Sequence, residues 1–379
     1  QIQSDAPADP FRPSPETAGA TSASTPSGID EKRKIGKYPV VRKIGQGGMG
    51  EVWEAFHPHL NIPVAIKVLP KFLADRNPGF VGRFLKEART SVQIAHSNIV
   101  RVYDADSSGQ LHFIVMEFVD GETVKSIIKR EDQVAAAKAL NIVKAVAEAL
   151  KEAQEHQIIH RDIKPDNIMV DRKGHIKLCD LGLAKQIDEE DLTMTGASFG
   201  TPAYVAPEQA KNAKGVDIRA DIYSLGVTFY HMVTGAKPFV GDAPAVVIFM
   251  HMNDPRPDPC ALAPELSPAY SAVIRMMMAK DPANRYQNPT ELLQDLEAIE
   301  AHPDIPVSEL ICAEFEDPER EHASVPGTMR PETLPPKPGG NEPVRTSRPP
   351  GGSSNRKPIL VMGVIAAAGL LAIAVGCML

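Results

Sequence analysis

Cysteine is scarce in this chain: only Cys179, Cys260, Cys312 and Cys377 occur in 379 residues. Their separations fit neither a zinc knuckle nor a C-x-x-C redox pair, which excludes a disulfide scaffold or a cysteine-based zinc site and agrees with a reducing cytoplasm. Positive charge is not in excess either. The formal net charge of −7 excludes a protein that binds by gripping a nucleic-acid backbone, so no nucleic-acid partner is expected. The first residues lack the charged-then-apolar layout of a signal peptide, and no export signal is visible there.

Proline, by contrast, is abundant, and half of the 34 fall in residues 1–30 and 301–358. Residues 1–35 mix Pro, Ser, Thr, Ala and Asp without apolar periodicity and are expected to be disordered, having too little to bury to offset the entropy of ordering. Residues 299–358 read as a Pro-rich juxtamembrane linker. After it, Ile359 to Leu379 is a stretch of 21 residues without a charged side chain. At about 1.5 Å rise per residue it can cross a hydrocarbon core of roughly 30 Å, so a transmembrane helix is expected. Arg356 and Lys357 immediately before it favour a cytoplasmic location for the preceding chain. The expected arrangement is a cytoplasmic domain on a single-pass anchor in the inner membrane.

Between these ends, short runs rich in Val, Ile, Phe and Tyr at about 38–44, 50–57, 62–69, 99–104 and 111–117 predict five strands. One helix is expected at about 78–94, with Phe80, Phe84 and Ala88 four residues apart. From about 123 the spacing of Val134, Leu140, Val143, Val146 and Leu150 turns helical. Strands first and helices after predict an α+β fold in two lobes: a small five-stranded β lobe with one key helix, and a larger, mainly helical lobe.

Gly45-Gln46-Gly47-Gly48-Met49-Gly50 has the pattern G-x-G-x-x-G, which is weak evidence alone. Strand-like runs on both sides make it a hairpin turn rather than the start of a helix, and its glycines would let backbone N–H groups approach phosphates. Four further motifs follow in order: Val64-Ala65-Ile66-Lys67, His160-Arg161-Asp162-Ile163-Lys164-Pro165-Asp166-Asn167, Asp180-Leu181-Gly182 and Ala206-Pro207-Glu208. Together they resemble the eukaryotic-like, Hanks-type protein kinase family over about residues 36–298. Gly200-Thr-Pro-Ala-Tyr-Val-Ala-Pro-Glu-Gln-Ala210 and the apolar tail are similar to those of bacterial membrane-anchored serine/threonine kinases.

The resemblance implies ATP and Mg²⁺ as cofactors, with Mn²⁺ as an alternative ion, and Ser/Thr-containing proteins as substrates. Phosphoryl transfer needs charge neutralised on three oxygens and a hydroxyl placed in line. Lys67 would neutralise the α and β phosphates, oriented by an ion pair with Glu87, the only acid in 79–94. Asp162 would accept a hydrogen bond from the substrate hydroxyl, Lys164 would touch the transferring phosphate, and Asn167 and Asp180 would hold magnesium. Taken singly, each acid could be a loop cap or a surface charge. Glu117 and Val119 would bind adenine through the backbone behind the gatekeeper Met116, and Val52 and Ala65 belong to the same implied ATP site. Lys164 with Thr201 marks serine/threonine specificity in the family.

Arg161 is implied to grip a phosphorylated activation loop. Thr193 and Thr195 are the implied autophosphorylation sites, with Ser198 a weaker candidate and Thr201 a substrate-positioning residue. Glu208 with Arg285, and Asp221, match the family's buried anchors. Two features depart or stand out. Leu181 replaces the usual phenylalanine of Asp-Phe-Gly, which puts the flipped inactive state in doubt but not metal binding. Cys179 precedes the metal-binding Asp and reads either as a pocket-facing reactive thiol or as a buried, inert one. Besides an active membrane-anchored kinase that self-associates for trans-autophosphorylation, two alternatives exist: a nucleotide-binding pseudokinase scaffold, and a membrane adaptor recruiting partners through its Pro-rich arms.

Overall fold

A computed structural model describes residues 33–47, 50–76, 78–181, 202–211 and 215–314. Residues 1–32 of the segment 1–35 expected to be disordered, the loop 182–201, most of the linker and Ile359–Leu379 lie outside the described residues, while Lys34–Ile35 of that segment form a strand. Among the described residues, no helix is long and apolar enough to cross a membrane.

The first lobe is an antiparallel sheet of β1 (Lys34–Ile35), β2 (Tyr38–Gly47), β3 (Gly50–Phe56), β4 (Pro63–Val68), β5 (Val102–Ser108) and β6 (Leu111–Glu117), in the order β1-β2-β3-β4-β6-β5. The five expected strands are present. A two-residue strand is added where Gly36, at φ 57°, turns the chain back so that Ile35 pairs with Tyr38. The fourth strand starts later than expected because Ile99 and Val100 bury their side chains in the two cores rather than joining the ladder.

Alternation along β4 sends Val64 and Ile66 to one face, against Tyr38, Phe113 and Val115. Ala65 lies on the other face with Ile114, Met116, Phe84 and Ala88, and Lys67, two residues on, points the same way. Phe84 and Ala88 belong to α2 (Pro78–Ser91), which follows the short α1 (Lys71–Arg76) and opens with proline at its first position.

The second lobe contains α3 (Val124–Glu131), α4 (Ala136–Glu155), α5 (Pro207–Lys211), α6 (Ile218–Thr234), α7 (Pro244–Asn253), α8 (Pro268–Met277) and α9 (Pro289–Ala301). A three-stranded sheet is made of β7 (Gly121–Thr123), β8 (Ile168–Asp171) and β9 (Ile176–Leu178), of which the last two lie between the His160–Asn167 motif and Asp180. Helix α6 is buried nearly all round, as a central core helix should be. Asp217 caps its start by accepting the Arg219 N–H, and Gly235, left-handed at φ 70°, ends it. A Cβ on Gly226 would come within 2.6 Å of the Met277 Cβ, so glycine lets α6 and α8 cross closely.

The packed chain continues past residue 298. Asp295 on α9 is buried and accepts the Tyr286 hydroxyl at 2.7 Å and the backbone N–H groups of Ile311 and Cys312 at 2.7 and 3.0 Å. Leu310 and Cys312 thereby close against the core, so residues 302–314 of the expected linker are docked on the lobe.

Candidate active site

The glycine motif occupies the β2–β3 hairpin, with Gly47 paired to Gly50; Gly48 and Met49, between them, lie outside the described residues. Gly45, Gln46 and Gly47 end β2, and Val52 faces Lys67 across the β3–β4 ladder. Gly50 has φ 127°, and a Cβ there would stand 1.9 Å from the Val68 carbonyl oxygen, so only glycine fits.

Lys67 is 6% exposed, and its Nζ lies 2.8 Å from Asp180 Oδ2. Glu87 stands on α2, but its side chain, and with it the expected Lys67–Glu87 pair, lies outside the described residues. Burial alone would raise the Asp180 carboxyl. The charge and hydrogen bond of Lys67, aided by His160 and Lys164, hold it below the usual carboxylate range instead. Asp180 sits at φ 61° and Arg161 at φ 65°, left-handed conformations that cost energy for residues other than glycine and here flank the catalytic loop.

Within that loop, Lys164 Nζ donates to Asp162 Oδ2 at 2.7 Å. Asn167 Nδ2 donates to the same oxygen at 3.0 Å and to the Asp162 carbonyl at 2.8 Å. Asp221 holds the loop from below: its two oxygens accept the N–H groups of His160 and Arg161, both at 2.7 Å. Burial pushes its carboxyl up, against the pull of those partners. The His160 ring donates from Nε2 to the Cys179 carbonyl at 2.7 Å and accepts the Asp162 N–H at Nδ1, at 3.2 Å. One imidazole thus links the Asp162 and Asp180 segments, a role its place in the motif did not disclose. The Cys179 N–H donates to the Asn167 carbonyl at 2.8 Å and fastens them further.

The strand leading to Asp180 is also bonded toward the first lobe: Leu178 N–H donates to the Asn98 carbonyl at 2.8 Å, and Val100 N–H donates to the Leu178 carbonyl at 2.9 Å. Leu181 is buried, and its carbonyl accepts the Ser91 hydroxyl from the end of α2 at 3.3 Å. Leucine therefore fills an apolar place here; Gly182 lies outside the described residues.

Met116 is buried beside Ala65 and lines a small cavity with Asp180 and Leu181, while Val119 packs on the same cluster. Glu117 is fixed by Lys177 at 2.9 Å and by the Arg101 N–H at 3.2 Å. Sequence reasoning had no signal for that pairing of residues far apart in the chain. The Cys179 thiol is half-buried against apolar neighbours, and burial with the Asp180 charge pushes it well up, which favours the inert thiol. Glu208 and Arg285 form an ion pair at 2.7 Å. Thr193, Thr195, Ser198 and Thr201 lie outside the described residues.

The donor set fits magnesium. Asp180 offers a carboxylate and Asn167, whose amide N–H₂ is engaged, offers its amide oxygen, hard ligands suited to an ion shared with phosphates. Among the described residues, no group of three His, Cys, Asp or Glu could hold a metal alone.

A β lobe and a mainly helical lobe on either side of such a loop make the two-lobed α+β fold of the protein kinases. The family model of the protein kinase domain matches residues 38–296, and the chain belongs to the protein kinase family. It is 38% identical over 281 residues to a probable serine/threonine-protein kinase of Clostridium perfringens, covering 74% of this chain and 41% of that protein. To the serine/threonine-protein kinase PknB of Mycolicibacterium smegmatis it is 37% identical over 279 residues, 72% of this chain and 44% of the relative. A probable serine/threonine-protein kinase of Streptomyces coelicolor is 36% identical over 277 residues, 71% and 41%. The chain thus spans less than half the length of these relatives.

Proposed function

We propose that the protein transfers the γ-phosphoryl group of ATP, with Mg²⁺, to serine and threonine hydroxyls of protein substrates. The observation that carries this is the grouping of Asp162, Lys164 and Asn167 on one carboxylate oxygen, with Lys67 and Asp180 paired at 2.8 Å. Asp162 would orient the attacking hydroxyl and take its proton. Lys164 would steady the transferring oxygens, and Lys67 the remaining phosphates. The bound ion would neutralise charge between the β and γ phosphates, held by Asp180 and Asn167. The adenine would lie against Val52, Ala65 and Met116, hydrogen-bonded by the backbone of Glu117 and Val119. Serine/threonine specificity rests on Lys164 and Thr201 and on the relatives' names.

The test is incorporation of labelled phosphate by the full chain beside Asp162→Asn and Lys67→Met, with phosphosite mapping. Signal on Thr193 or Thr195 that disappears in both variants supports the reading. ATP binding without transfer to itself or to a generic protein would replace it with the scaffold reading.

Activation by trans-autophosphorylation of Thr193 and Thr195, gripped by Arg161, belongs to the same proposal. So does anchoring of a cytoplasmic kinase to the inner membrane through Ile359–Leu379, which would raise the local concentration of copies. Deleting 359–379 at equal low expression should lower both membrane recovery and loop phosphorylation. No change in either would refute this part.

A further inference from the structure

The peptide bond between Arg161 and Asp162 is held at both ends by side chains. At its N–H, His160 Nδ1 accepts from Asp162 at 3.2 Å. At its carbonyl, Gln209 Nε2 donates to the Arg161 oxygen at 2.8 Å. The first partner belongs to the catalytic loop itself, whereas the second stands on α5, 48 residues further along the chain.

This peptide needs outside support. Arg161 sits at φ 65°, a left-handed conformation that strains a residue bearing a side chain. Because the peptide unit is planar, a return of Arg161 to an ordinary negative φ would turn its carbonyl and carry the Asp162 Cα with it. Asp221 holds the chain one step earlier, through the N–H groups of His160 and Arg161, and neither of those bonds reaches the Arg161 carbonyl.

Helix α5 is a firm base for the contact. Ala206, just before it, and Pro207, its first residue, are buried. Glu208, next to Gln209, is gripped by fully buried Arg285. With its neighbour fixed in this way, the Gln209 amide has a defined reach.

The orientation of that amide is settled by what its other end lacks. Gln209 Oε1 is buried without a partner among the described residues. Turning the amide over would set two oxygens against each other, so Nε2 faces the Arg161 carbonyl. A methionine or leucine would fill this place without stranding an oxygen; what neither could do is donate.

We propose that Gln209 is a positioning residue for Asp162, its amide holding the Arg161–Asp162 peptide in the left-handed arrangement that aims the Asp162 carboxylate at the acceptor hydroxyl. This rests on the kinase reading above. The test uses the full chain, with a synthetic peptide of its own residues 187–201 as phosphoacceptor. Gln209→Met and Gln209→Leu should each lower kcat about tenfold, the loss of about one hydrogen bond, while KM for ATP and for the peptide stays within about twofold. Methionine keeps the length and flexibility of glutamine, so it serves if the leucine variant fails to fold. A double-mutant cycle with Asp162→Asn then asks whether Gln209 acts through that carboxylate. If it does, adding Gln209→Met to Asp162→Asn should leave the residual rate within about twofold. A merely structural glutamine would cost the residual rate the same factor as it costs the wild type, which would overturn the proposal. Nucleotide titration should find as many ATP-competent sites as in the wild type, so that the kcat-against-KM split decides by itself if the Asp162→Asn rate is too small to measure. Unchanged kcat in both single variants, or a loss confined to KM, would also overturn the proposal. A wild type that transfers nothing to the peptide would instead overturn the kinase reading, and this proposal with it.

Discussion

Arg285 presents both terminal nitrogens to both carboxylate oxygens of Glu208, at 2.7 and 2.8 Å, with no part of the arginine exposed. The same guanidinium donates to the carbonyls of Ala279, Arg219 and Lys280, so one side chain ties α5, α6 and the loop after α8. Removing it strands a carboxylate and three carbonyls. Arg285→Ala is expected to destabilise the fold by about 3–5 kcal/mol, with Arg285→Lys intermediate because it keeps the charge but not the fork. Urea unfolding of the full chain measures both.

Gly50 and Gly45 should respond differently to the same substitution. Gly50→Ala places a Cβ 1.9 Å from a backbone oxygen at φ 127°, which the sheet can relieve only by shifting β3 from β4. A loss of about 1–3 kcal/mol and weaker ATP binding are expected. At Gly45 the added Cβ would lie 3.6 Å from Val52, an ordinary contact, so the melting temperature should hardly move.

Acid should weaken the fold through partly buried His231 on α6, whose Nδ1 accepts the Tyr204 hydroxyl at 2.8 Å, and fully buried His251 on α7. In the unfolded chain they titrate near about 6.5, but in the folded one only at about 4. Below pH 6.5 the unfolded state takes up protons the folded state refuses, so stability falls as pH drops toward 4 and levels off beneath it. The urea midpoint between pH 7 and 4.5 should fall less in a His231→Asn, His251→Asn double variant than in the wild type.

Cys179 should be a poor nucleophile. With its thiol pushed up by burial and by Asp180, iodoacetamide at pH 7.5 should label it far more slowly than a free thiol, with or without ATP. Rapid labelling that ATP blocks, read by mass spectrometry, would contradict this.

Ending the chain after Ala301 should cost stability although the family match stops at residue 296. The cut uncovers the core under Leu310 and Cys312 and leaves Asp295 without two of its donors. A loss of about 2–4 kcal/mol is expected, and Tyr286→Phe in the full chain should cost about 1 kcal/mol. Thermal melts of the three proteins compare these directly.

The motifs around the cleft were visible in the sequence because their residue types recur in one order at short spacing, as in His160–Asn167, where the structure gathers Lys164 and Asn167 on Asp162. The strands were legible from β-branched runs with turns between them. Other features were not, since they depend on partners far apart in the chain. Nothing near Glu117 points to Lys177, and nothing near Tyr204 points to His231. The late start of β5 was missed because Ile99 and Val100 are strand-like residues whose backbone pairs with Leu178 instead of β6. The docking of 302–314 was hidden for a different reason: its proline content suggests linker, while Ile305, Leu310, Ile311 and Cys312 and one buried carboxylate hold it.

The bonds of Asn98 and Val100 to Leu178 bear on how the cleft can open. Asn167 and Asp180 are fastened together by the Cys179 N–H and the His160 ring, so they form one rigid piece on the large lobe's side. Lys67 rides on β4, in the sheet of the other lobe. Rotation of that lobe about the 98–100 seam would alter the reach of the lysine while leaving the spacing of Asn167 and Asp180 fixed. Opening the cleft would then part Lys67 from Asp180, now 2.8 Å away, while Asp180 and Asn167 kept their places beside each other, so one of the two relationships is adjustable and the other is built in.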